Sequence, residues 1–267
     1  FSITDKLRGN IGTHYSSFFV ENRFYHSLQP RLSFRYLVRN DLSVKASYAT
    51  MNQYIHLLTN SGIGLPTDLW VPATDQVNPQ SSWQVALGIA KTLKGFEASV
   101  ELYYKEMNNL IEYQEGASFF NLGTDWQDKV TSGDGESYGA ELFLQKKTGR
   151  LSGWIGYTLS WTYRQFEELN FGERYPYKYD RRHDLSVVGI YEFSRSFSLS
   201  STWVYGTGNA ITLPRASYPA NNQNDQFYYS NEIRSYGSRN DYRMASYHRL
   251  DIGLTWDKEK KWGVRSW

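Results

Sequence analysis

The sequence predicts an all-β protein, an antiparallel up-and-down portion of a transmembrane β-barrel with about eleven strands, and three observations predict it. Apolar and polar residues alternate with a period of two along most of the 267 residues. The links between the alternating segments are alternately short and long. Aromatic residues make up 17 % of the chain and gather at segment ends, where membrane barrels carry interfacial girdles.

The first five candidate strands follow from this alternation in chain order. Leu7–Val20 alternates weakly but begins the series. In Pro30–Val38 and Leu42–Tyr48, an apolar residue recurs at every second position, mostly with Arg, Ser or Lys between. Trp83–Ala90 sets large apolar residues against Gln, Ala and Gly, and Phe96–Lys105 sets them against Glu, Ser and Lys. Such alternation is typical of a strand with one apolar and one polar face.

The same alternation predicts six more strands after a long link. The last of them ends with the sequence and is interpreted as a strand cut short. Strands of about ten residues exceed the usual soluble length and suit a tilted strand that crosses a bilayer. The six segments are Ser137–Lys147, Leu151–Tyr163, His183–Phe193, Phe197–Thr207, Tyr247–Trp256 and Trp262–Trp267.

The links sort by length in a way that favours a membrane barrel. Neighbouring antiparallel strands put successive links at opposite ends, so one end is expected to carry only short turns and the other only long loops. Bacterial outer-membrane barrels show this asymmetry, whereas soluble sandwiches with crossover connections do not sort their loops so. The short links are Arg39–Asp41, Leu93–Gly95, Thr148–Arg150, Ser194–Ser196 and Asp257–Lys261; the long ones are Glu21–His26, Asn52–Ser82, Gln114–Glu136, Arg164–Arg182 and Gly208–Ser246.

The facing of side chains follows from the same period. Leu87, Val100 and Val187 fall mid-strand on the apolar face and are expected to meet lipid, whereas Gln84 falls on the polar face and is expected to meet the lumen. Charge on the polar face comes from Arg31, Arg35, Lys45, Glu97, Glu101, Lys105, Glu141 and Asp184. The aromatic residues assigned to strand ends are Tyr25, Tyr48, Tyr104, Tyr113, Trp161, Tyr163, Tyr191, Phe193, Phe197, Tyr205 and Trp256.

Composition excludes several classes of protein. The formal net charge is only +2 and no run of Lys and Arg exceeds two residues, which argues against a nucleic-acid partner. A mean hydropathy of −0.60 excludes a bundle of apolar membrane helices. Zero cysteines exclude a disulfide scaffold, a thiolate metal site and a cysteine nucleophile. Because the chain starts at Phe1 without a signal peptide, we expect it to be a piece of a longer protein.

Several motifs in order resemble the C-terminal half of the barrel of TonB-dependent outer-membrane receptors, with the closest likeness to the Bacteroidetes type. The resemblance runs over essentially the whole chain. The segments that carry it are 65–72 (LPTDLWVP), 103–111 (YYKEMNNLI), 138–142 (YGAEL), 147–160 (KTGRLSGWIGYTLS), 177–185 (YKYDRRHDL) and 206–209 (GTGN).

The resemblance implies a 22-stranded barrel of which residues 1–267 form one part of a single domain, without the plug domain, the earlier strands and the C-terminal end. It further implies TonB-coupled uptake of a scarce nutrient such as a siderophore, haem, cobalamin or oligosaccharide. The implied partners are outer-membrane lipid, the protein's own plug and remaining strands, TonB through the missing N-terminal region, and the imported ligand. From the residues alone, a soluble β-rich ligand- or glycan-binding module remains the alternative.

Candidate ligand contacts come from the long loops. In the link Asn52–Ser82, Asn52, Gln53, His56, Asp68 and Trp70 lie among leucines, and this apolar content predicts a packed loop rather than a loose one. In the loop before His183, the polar cluster of residues 178–184 predicts further contacts. The residues selected there are Tyr177, Tyr179 and Arg181.

No catalytic, metal or cofactor site is predicted. His183 and Asp184 are adjacent in a strand, so they point to opposite faces and do not form an acid–base pair. Arg181 or Arg182 is instead expected to pair with Asp180 or with a neighbouring carboxylate of the wall, and so to fix a loop over the lumen. The acidic residues Asp125, Asp128, Asp134 and Glu136 lack the spacing of a calcium loop. GxSxG and HExxH motifs are also missing.

Overall fold

The computed structural model describes residues 1–59, 68–117, 125–219 and 232–257, which form strands and two short 3₁₀ turns (Gln127–Lys129 and Asn170–Gly172). No helix in these ranges has the length and apolar character needed to cross a membrane. The strands are β1 (Leu7–Val20), β2 (Arg23–Arg39), β3 (Leu42–Gln53), β4 (Ile55–Leu58), β5 (Leu69–Pro72), β6 (Gln80–Leu93), β7 (Phe96–Tyr113), β8 (Val130–Lys146), β9 (Leu151–Gln165), β10 (Tyr175–Pro176), β11 (His183–Ser194), β12 (Phe197–Gly206), β13 (Ala210–Ile211), β14 (Pro214–Pro219), β15 (Glu232–Tyr236), β16 (Tyr242–Arg243) and β17 (Tyr247–Trp256).

Ten long strands form one antiparallel up-and-down sheet in chain order, β1-β2-β3-β6-β7-β8-β9-β11-β12-β17. This confirms the predicted fold class and the first ten predicted strands. The eleventh strand of the sheet is β10, which pairs with Tyr163 and Arg164 of β9 and lies within the predicted long link Arg164–Arg182. The predicted strand Trp262–Trp267 lies outside the described residues. Three two-stranded hairpins, β4–β5, β13–β16 and β14–β15, occupy the long loops.

Four of the five predicted short turns lie at one end of the sheet, and the fifth, Asp257–Lys261, extends outside the described residues. β2, β6, β8 and β11 occupy alternate places in the strand order and therefore run in the same direction, so all four end at the same edge. Their turns, after Arg39, Leu93, Lys146 and Ser194, are the short links expected there. Gly95 and Gly149 have positive φ angles of 76° and 94°, a conformation that glycine adopts without steric penalty. We call this edge the turn end and the opposite edge the loop end.

The link predicted at Glu21–His26 is wrong, because the loop end carries one tight turn as well. The β1–β2 ladder continues to the pair Val20–Arg23, leaving two residues in the turn. The aromatic pairs Phe18–Tyr25 and Phe19–Phe24 face each other across this ladder, and such pairs stabilise antiparallel strands. Glu21 has a φ of 49° to close the turn.

Register sorts the side chains of the wall into two faces. Ala46, Leu87, Leu102 and Ala140 stand opposite one another on successive strands and define the apolar face. The neighbouring row of Lys45, Gly88, Glu101 and Glu141 defines the polar face. Leu87 and Leu102 remain 61 % and 57 % exposed, so nothing among the described residues covers the apolar face.

Aromatic side chains mark both borders of the apolar face. Toward the loop end, one cross-strand row joins Tyr48, Val85, Tyr104, Tyr138 and Trp161, with the rings of Tyr138 and Trp161 stacked at 5.5 Å. Eight residues of β7 separate Tyr104 from the other border, about 26 Å along the strand and about 20 Å across a bilayer at the usual tilt. The aromatic residues toward the turn end are Phe96, Tyr191, Phe193, Phe197 and Trp256.

Two of the aromatic residues assigned to strand ends belong elsewhere. Tyr113 is 5 % exposed and packs inside the loop end, because β7 continues to this residue rather than ending near Lys105. Tyr25 donates its hydroxyl hydrogen to the carbonyl oxygen of Thr74 at 2.5 Å, so it anchors a loop.

A β-bulge divides β7 into two parts. Met107 pairs with Gly135 but Leu110 pairs with Gly133, so β7 holds one extra residue, and Asn109 takes a φ of 57° there. Such a bulge exchanges the faces of all later residues. Beyond it, Leu110 and Glu112 share the polar face with Arg164 of β9, and Ile111 and its neighbour at 113 turn to the other side.

The packed cores sit at the loop end rather than in the wall. One core cluster joins the β4–β5 hairpin to β7 through Leu58, Val71, Val77, Ile111 and Tyr113. A second lies across the bulge and consists of Leu110, Phe166, Leu169 and Tyr175. Because their residues are at most 6 % exposed, the long loops form a packed layer, as their apolar content predicted.

Candidate functional site

The β4–β5 hairpin spans the loop end of the wall from β1 to β7. The phenolic hydroxyl of Tyr54, just before β4, lies 2.8 Å from the hydroxyl of Ser16 on β1, and its ring stacks on Phe18 at 5.3 Å. On the other side, the hairpin packs in the core cluster with Ile111 and Tyr113. The first long loop is therefore fixed to strands on both sides of it.

His56 is an internal support of this hairpin. Its side chain is fully buried, and its Nδ1 lies 2.9 Å from Nε2 of Gln80 at the start of β6. Burial lowers the pKa of His56 from 6.5 to about 4, against a smaller opposing effect of a hydrogen bond with the backbone of Asn78. The imidazole is therefore neutral at physiological pH, and no ligand reaches it without movement of the hairpin.

Asp68 connects the hairpin to the loop that follows β9. Lys178 Nζ lies 3.1 Å from its carboxylate, and the hydroxyl of Tyr179 donates to the other carboxylate oxygen. Burial, reinforced by this carboxylate, raises the pKa of Tyr179. Trp70, two residues later, is 62 % exposed, so its ring is available at the surface.

Glu112 is the centre of a buried ionic cluster that the sequence did not predict. Its side chain is 1 % exposed and lies 3.3 Å from Nη1 of Arg164 and 2.8 Å from Nη2 of Arg239. The hydroxyl of Tyr175 donates to the same carboxylate at 2.7 Å. Burial and this negative charge raise the pKa of Tyr175. Three separate segments therefore meet on one carboxylate.

Asp180 forms a second ionic cluster beside the first. It is 1 % exposed, pairs with Arg182 at 3.2 Å and with Arg243, and accepts a hydrogen bond from the backbone N–H of Thr162 at 2.8 Å. The predicted pairing of Asp180 with a neighbouring arginine is thus confirmed for Arg182. Arg181 is exposed and lies 3.6 Å from Asp184 of β11, which is the predicted alternative of a neighbouring wall carboxylate.

The last long loop is docked on the loop that follows β9 by hydrogen bonds as well as charge. The Asn240 side chain donates to the carbonyl of Pro176 at 2.9 Å, and the backbone N–H of Arg239 donates to the Asn170 side chain at 2.8 Å. Tyr177 stacks under the guanidinium of Arg164 at 3.7 Å. These loops form one connected layer over the loop end.

Two of the cavities toward the loop end bear on the predicted contacts, one in the wall below the loop layer and one within the layer itself. Asn52 and Gln53, at the end of β3, line one of about 350 Å³ on the polar face. The other, about 600 Å³, borders Phe171, whose ring is fully exposed, and Arg234. Asn170 and Phe171 have consecutive positive φ angles of 53° and 59°, a strained backbone of the kind that is concentrated at functional sites.

The structure brings together only some of the predicted contact residues. Asp68 and Tyr179 touch, and Tyr177 lies 5.5 Å from Tyr179 between ring centres. Asn52 and Gln53 lie at a separate cavity, while Arg181 pairs elsewhere. Their contact with a ligand stays a prediction.

His183 and Asp184 have different partners at the loop end. His183 Nδ1 bonds to the hydroxyl of Tyr157 at 2.8 Å, and the adjacent Asp184 pairs with Arg181, so the two do not form a proton relay. Within the described ranges, no three His, Asp or Glu side chains are grouped so that they could hold a metal ion.

Comparison with known proteins identifies the fold. The family profile described as TonB dependent receptor-like, beta-barrel, matches residues 1–266. No curated protein matches the sequence.

Three solved structures illustrate the likeness. The ferripyoverdine receptor of the outer membrane of Pseudomonas aeruginosa is 14 % identical, with a TM-score of 0.60 over 95 % of this chain and 31 % of that one. The siderophore receptor PirA of Acinetobacter baumannii is 13 % identical, with a TM-score of 0.60 over 96 % and 38 %. The ferric-catecholate import receptor Fiu of E. coli K12 is 12 % identical, with a TM-score of 0.56 over 94 % and 36 %. This chain therefore spans about a third of the length of these structures.

Proposed function

Because the chain belongs to the TonB-dependent receptor β-barrel family, we propose that it forms part of an outer-membrane receptor that imports a scarce nutrient with energy supplied through TonB. Residues 1–267 then form one portion of a 22-stranded barrel, and the plug domain and remaining strands complete it. The likeness of the sequence motifs to the Bacteroidetes type belongs to the same proposal.

The exposed apolar face supports the membrane part of this proposal. It carries no charge in the row through Leu87 and Leu102, and aromatic residues border it on both sides. The width of about 20 Å between these borders is near the apolar band of about 25 Å that outer-membrane barrels present to lipid. The alternative, a soluble ligand- or glycan-binding module, leaves this face in water, which apolar surface of this extent disfavours.

The packed loop layer is the observation that carries the receptor function. A channel open to any solute has no need of buried ion pairs between loops, whereas a receptor must hold its contact residues in place before the ligand arrives. Here the carboxylates of Asp68, Glu112 and Asp180 tie four loop segments together. Exposed Trp70 and Phe171 project from this fixed layer and suit contact with a bulky ligand.

The ligand class follows only in outline from the neighbours. The three solved receptors carry titles that name ferripyoverdine, a siderophore and a ferric catecholate. A siderophore is therefore the first candidate for this chain, ahead of haem, cobalamin and oligosaccharide.

Growth of a deletion strain tests the function. The strain lacking the complete receptor is grown with iron, haem, cobalamin or an oligosaccharide limiting, and is then complemented with the receptor in cells with and without TonB. We expect one nutrient to restore growth only when both proteins are present. Growth that is restored equally without TonB, or recovery of the receptor in the soluble fraction, would contradict the proposal.

A further inference from the structure

One cavity of the wall carries positive charge without a counter-charge. The cavity of about 350 Å³ on the polar face is bordered by the loop-end halves of β1, β2, β3, β6 and β7. Arg31, Lys105 and His14 line it together with the amides of Gln53 and Gln80, and no Asp or Glu is among its lining residues.

Arg31 and Lys105 stand in one cross-strand row. Arg31 is paired with Ala49, Ala49 with Gln84, and Gln84 with Lys105. Three strand spacings separate their backbones by about 14 Å, so the two long side chains can reach toward one group between them. Gly12, which faces Arg31 on β1, has no heavy atom near the place where a side chain would begin, so this end of the row is open.

These two cations differ from the three that join the loops to one another. Arg164, Lys178 and Arg243 each meet a buried or half-buried carboxylate. Arg31 and Lys105 form no ion pair or side-chain hydrogen bond with any other residue that the structure describes. Two positive groups that share a concave site without an anion attract one.

The polar groups around the cations are already fixed. Gln29 Nε2 donates to the hydroxyl of Ser16 at 2.7 Å, and the amide of Gln80 is held by His56 at 2.9 Å. Because these amides do not have to be ordered when a solute arrives, binding loses less conformational entropy. The site is therefore arranged for an oxygen-rich solute.

We propose that the cavity between Arg31 and Lys105 binds an anionic group of the imported ligand, a carboxylate or phosphate carried on an oxygen-rich solute. This inference rests on the proposed receptor function and names the chemical class of its ligand. It adds Arg31, Lys105 and His14 to the contact residues. Gln53, whose amide donates to the carbonyl of Ile55 at 2.6 Å, lines the same cavity.

Citrate is the probe, because it carries three carboxylates and needs no knowledge of the natural ligand. The complete receptor in detergent is titrated with citrate, and with sucrose as an uncharged control, by calorimetry at low and high salt. We expect salt-sensitive binding of citrate alone. Arg31→Gln and Lys105→Gln should each weaken it about tenfold, since each removes one charge-assisted interaction. Arg35→Gln, four residues away on the same strand and face, should leave it within about twofold.

The inference is overturned if citrate does not bind, or if it binds equally to the double variant Arg31→Gln/Lys105→Gln. An acidic group of the plug that already occupied the site would give the first result. Unchanged circular dichroism of the variants shows that they fold. Growth separates the two proposals. If TonB-dependent growth survives in the double variant at all nutrient levels, the receptor function stands and the anion site falls. If citrate binds as expected but no nutrient depends on TonB, the site stands and the uptake function falls.

Discussion

An arginine placed at successive depths of the apolar face should destabilise the barrel according to depth. Ile89 pairs with Val100 midway between Tyr104 and Phe96, so this pair lies nearest the centre of the bilayer. Val85 pairs with Tyr104 in the aromatic row, and Leu87 lies between the two levels. The side chain of Ile89 is 55 % exposed in this structure, so arginine fits there and the expected cost comes from transfer into lipid.

The size of the effect follows from these positions. Ile89→Arg should cost about 2–4 kcal/mol at the bilayer centre, and Val85→Arg at the aromatic border about 0–1 kcal/mol. Leu87 lies two residues from Ile89 along β6, about 5 Å nearer the membrane surface at the usual tilt. The cost of Leu87→Arg should therefore fall between those of Ile89→Arg and Val85→Arg. Gln84→Arg is the matched control on the polar face of the same strand and should change stability by less than about 0.5 kcal/mol.

The measurement is refolding of the complete receptor into lipid vesicles over a urea gradient, followed by tryptophan fluorescence. The expected order of destabilisation is Ile89→Arg, then Leu87→Arg, then Val85→Arg, then Gln84→Arg. If the four variants unfold at the same urea concentration, or if Gln84→Arg is the worst, the assignment of lipid and lumen faces is wrong.

Three further predictions concern the loop layer. Glu112→Gln should cost about 3–5 kcal/mol in urea unfolding, because it leaves Arg164 and the largely buried Arg239 without their charge partner. Glu106→Gln, at a half-buried carboxylate on the same strand that forms no ion pair with a described residue, should be near neutral. Because His56 has a pKa of about 4 when folded and 6.5 when unfolded, the unfolded hairpin takes up the proton first. The free energy of unfolding the hairpin, measured by hydrogen exchange, should therefore fall by about 3 kcal/mol as the pH drops from 6.5 to 4. In His56→Gln this pH dependence should disappear. Asp68→Asn should speed proteolysis of the hairpin severalfold, whereas Asp75→Asn, at an exposed position, should not.

The wall was predictable because one physical constraint governs all of it. A strand with an apolar environment on one side and a polar one on the other alternates apolar and polar residues. The sequence next to Leu87 and Glu101 is therefore enough to assign each of them to a face. The turn at Lys94–Gly95 is also predictable from local sequence, because a link of two residues between antiparallel strands is a tight hairpin turn. The turn at Glu21 was not recognised, because the aromatic residues on both sides of it look the same whether they continue a ladder or begin a loop.

The loop layer was less predictable, because its contacts join residues far apart in the chain. Asp180 has a neighbouring arginine, and that local pairing was foreseen. Glu112 meets Arg239, and nothing near either residue in the sequence indicates the other. Asp68 was selected for its polarity, yet a polar residue in a loop serves structure as readily as recognition, and here it bonds to Lys178.

The extra residue at Asn108–Asn109 also fixes where this protein could be recombined. Below it, even-numbered residues of β7 face outward; above it, odd-numbered ones do, so each part has its own phase. A chimera that joins foreign loops beyond Asn109 inherits the native phase of the wall. One that replaces residues 107–109 by a regular strand of the same length, without the bulge, places Glu112 on the outside and separates it from Arg164 and Arg239. Loop libraries built on this scaffold should therefore begin after Asn109 and retain both asparagines.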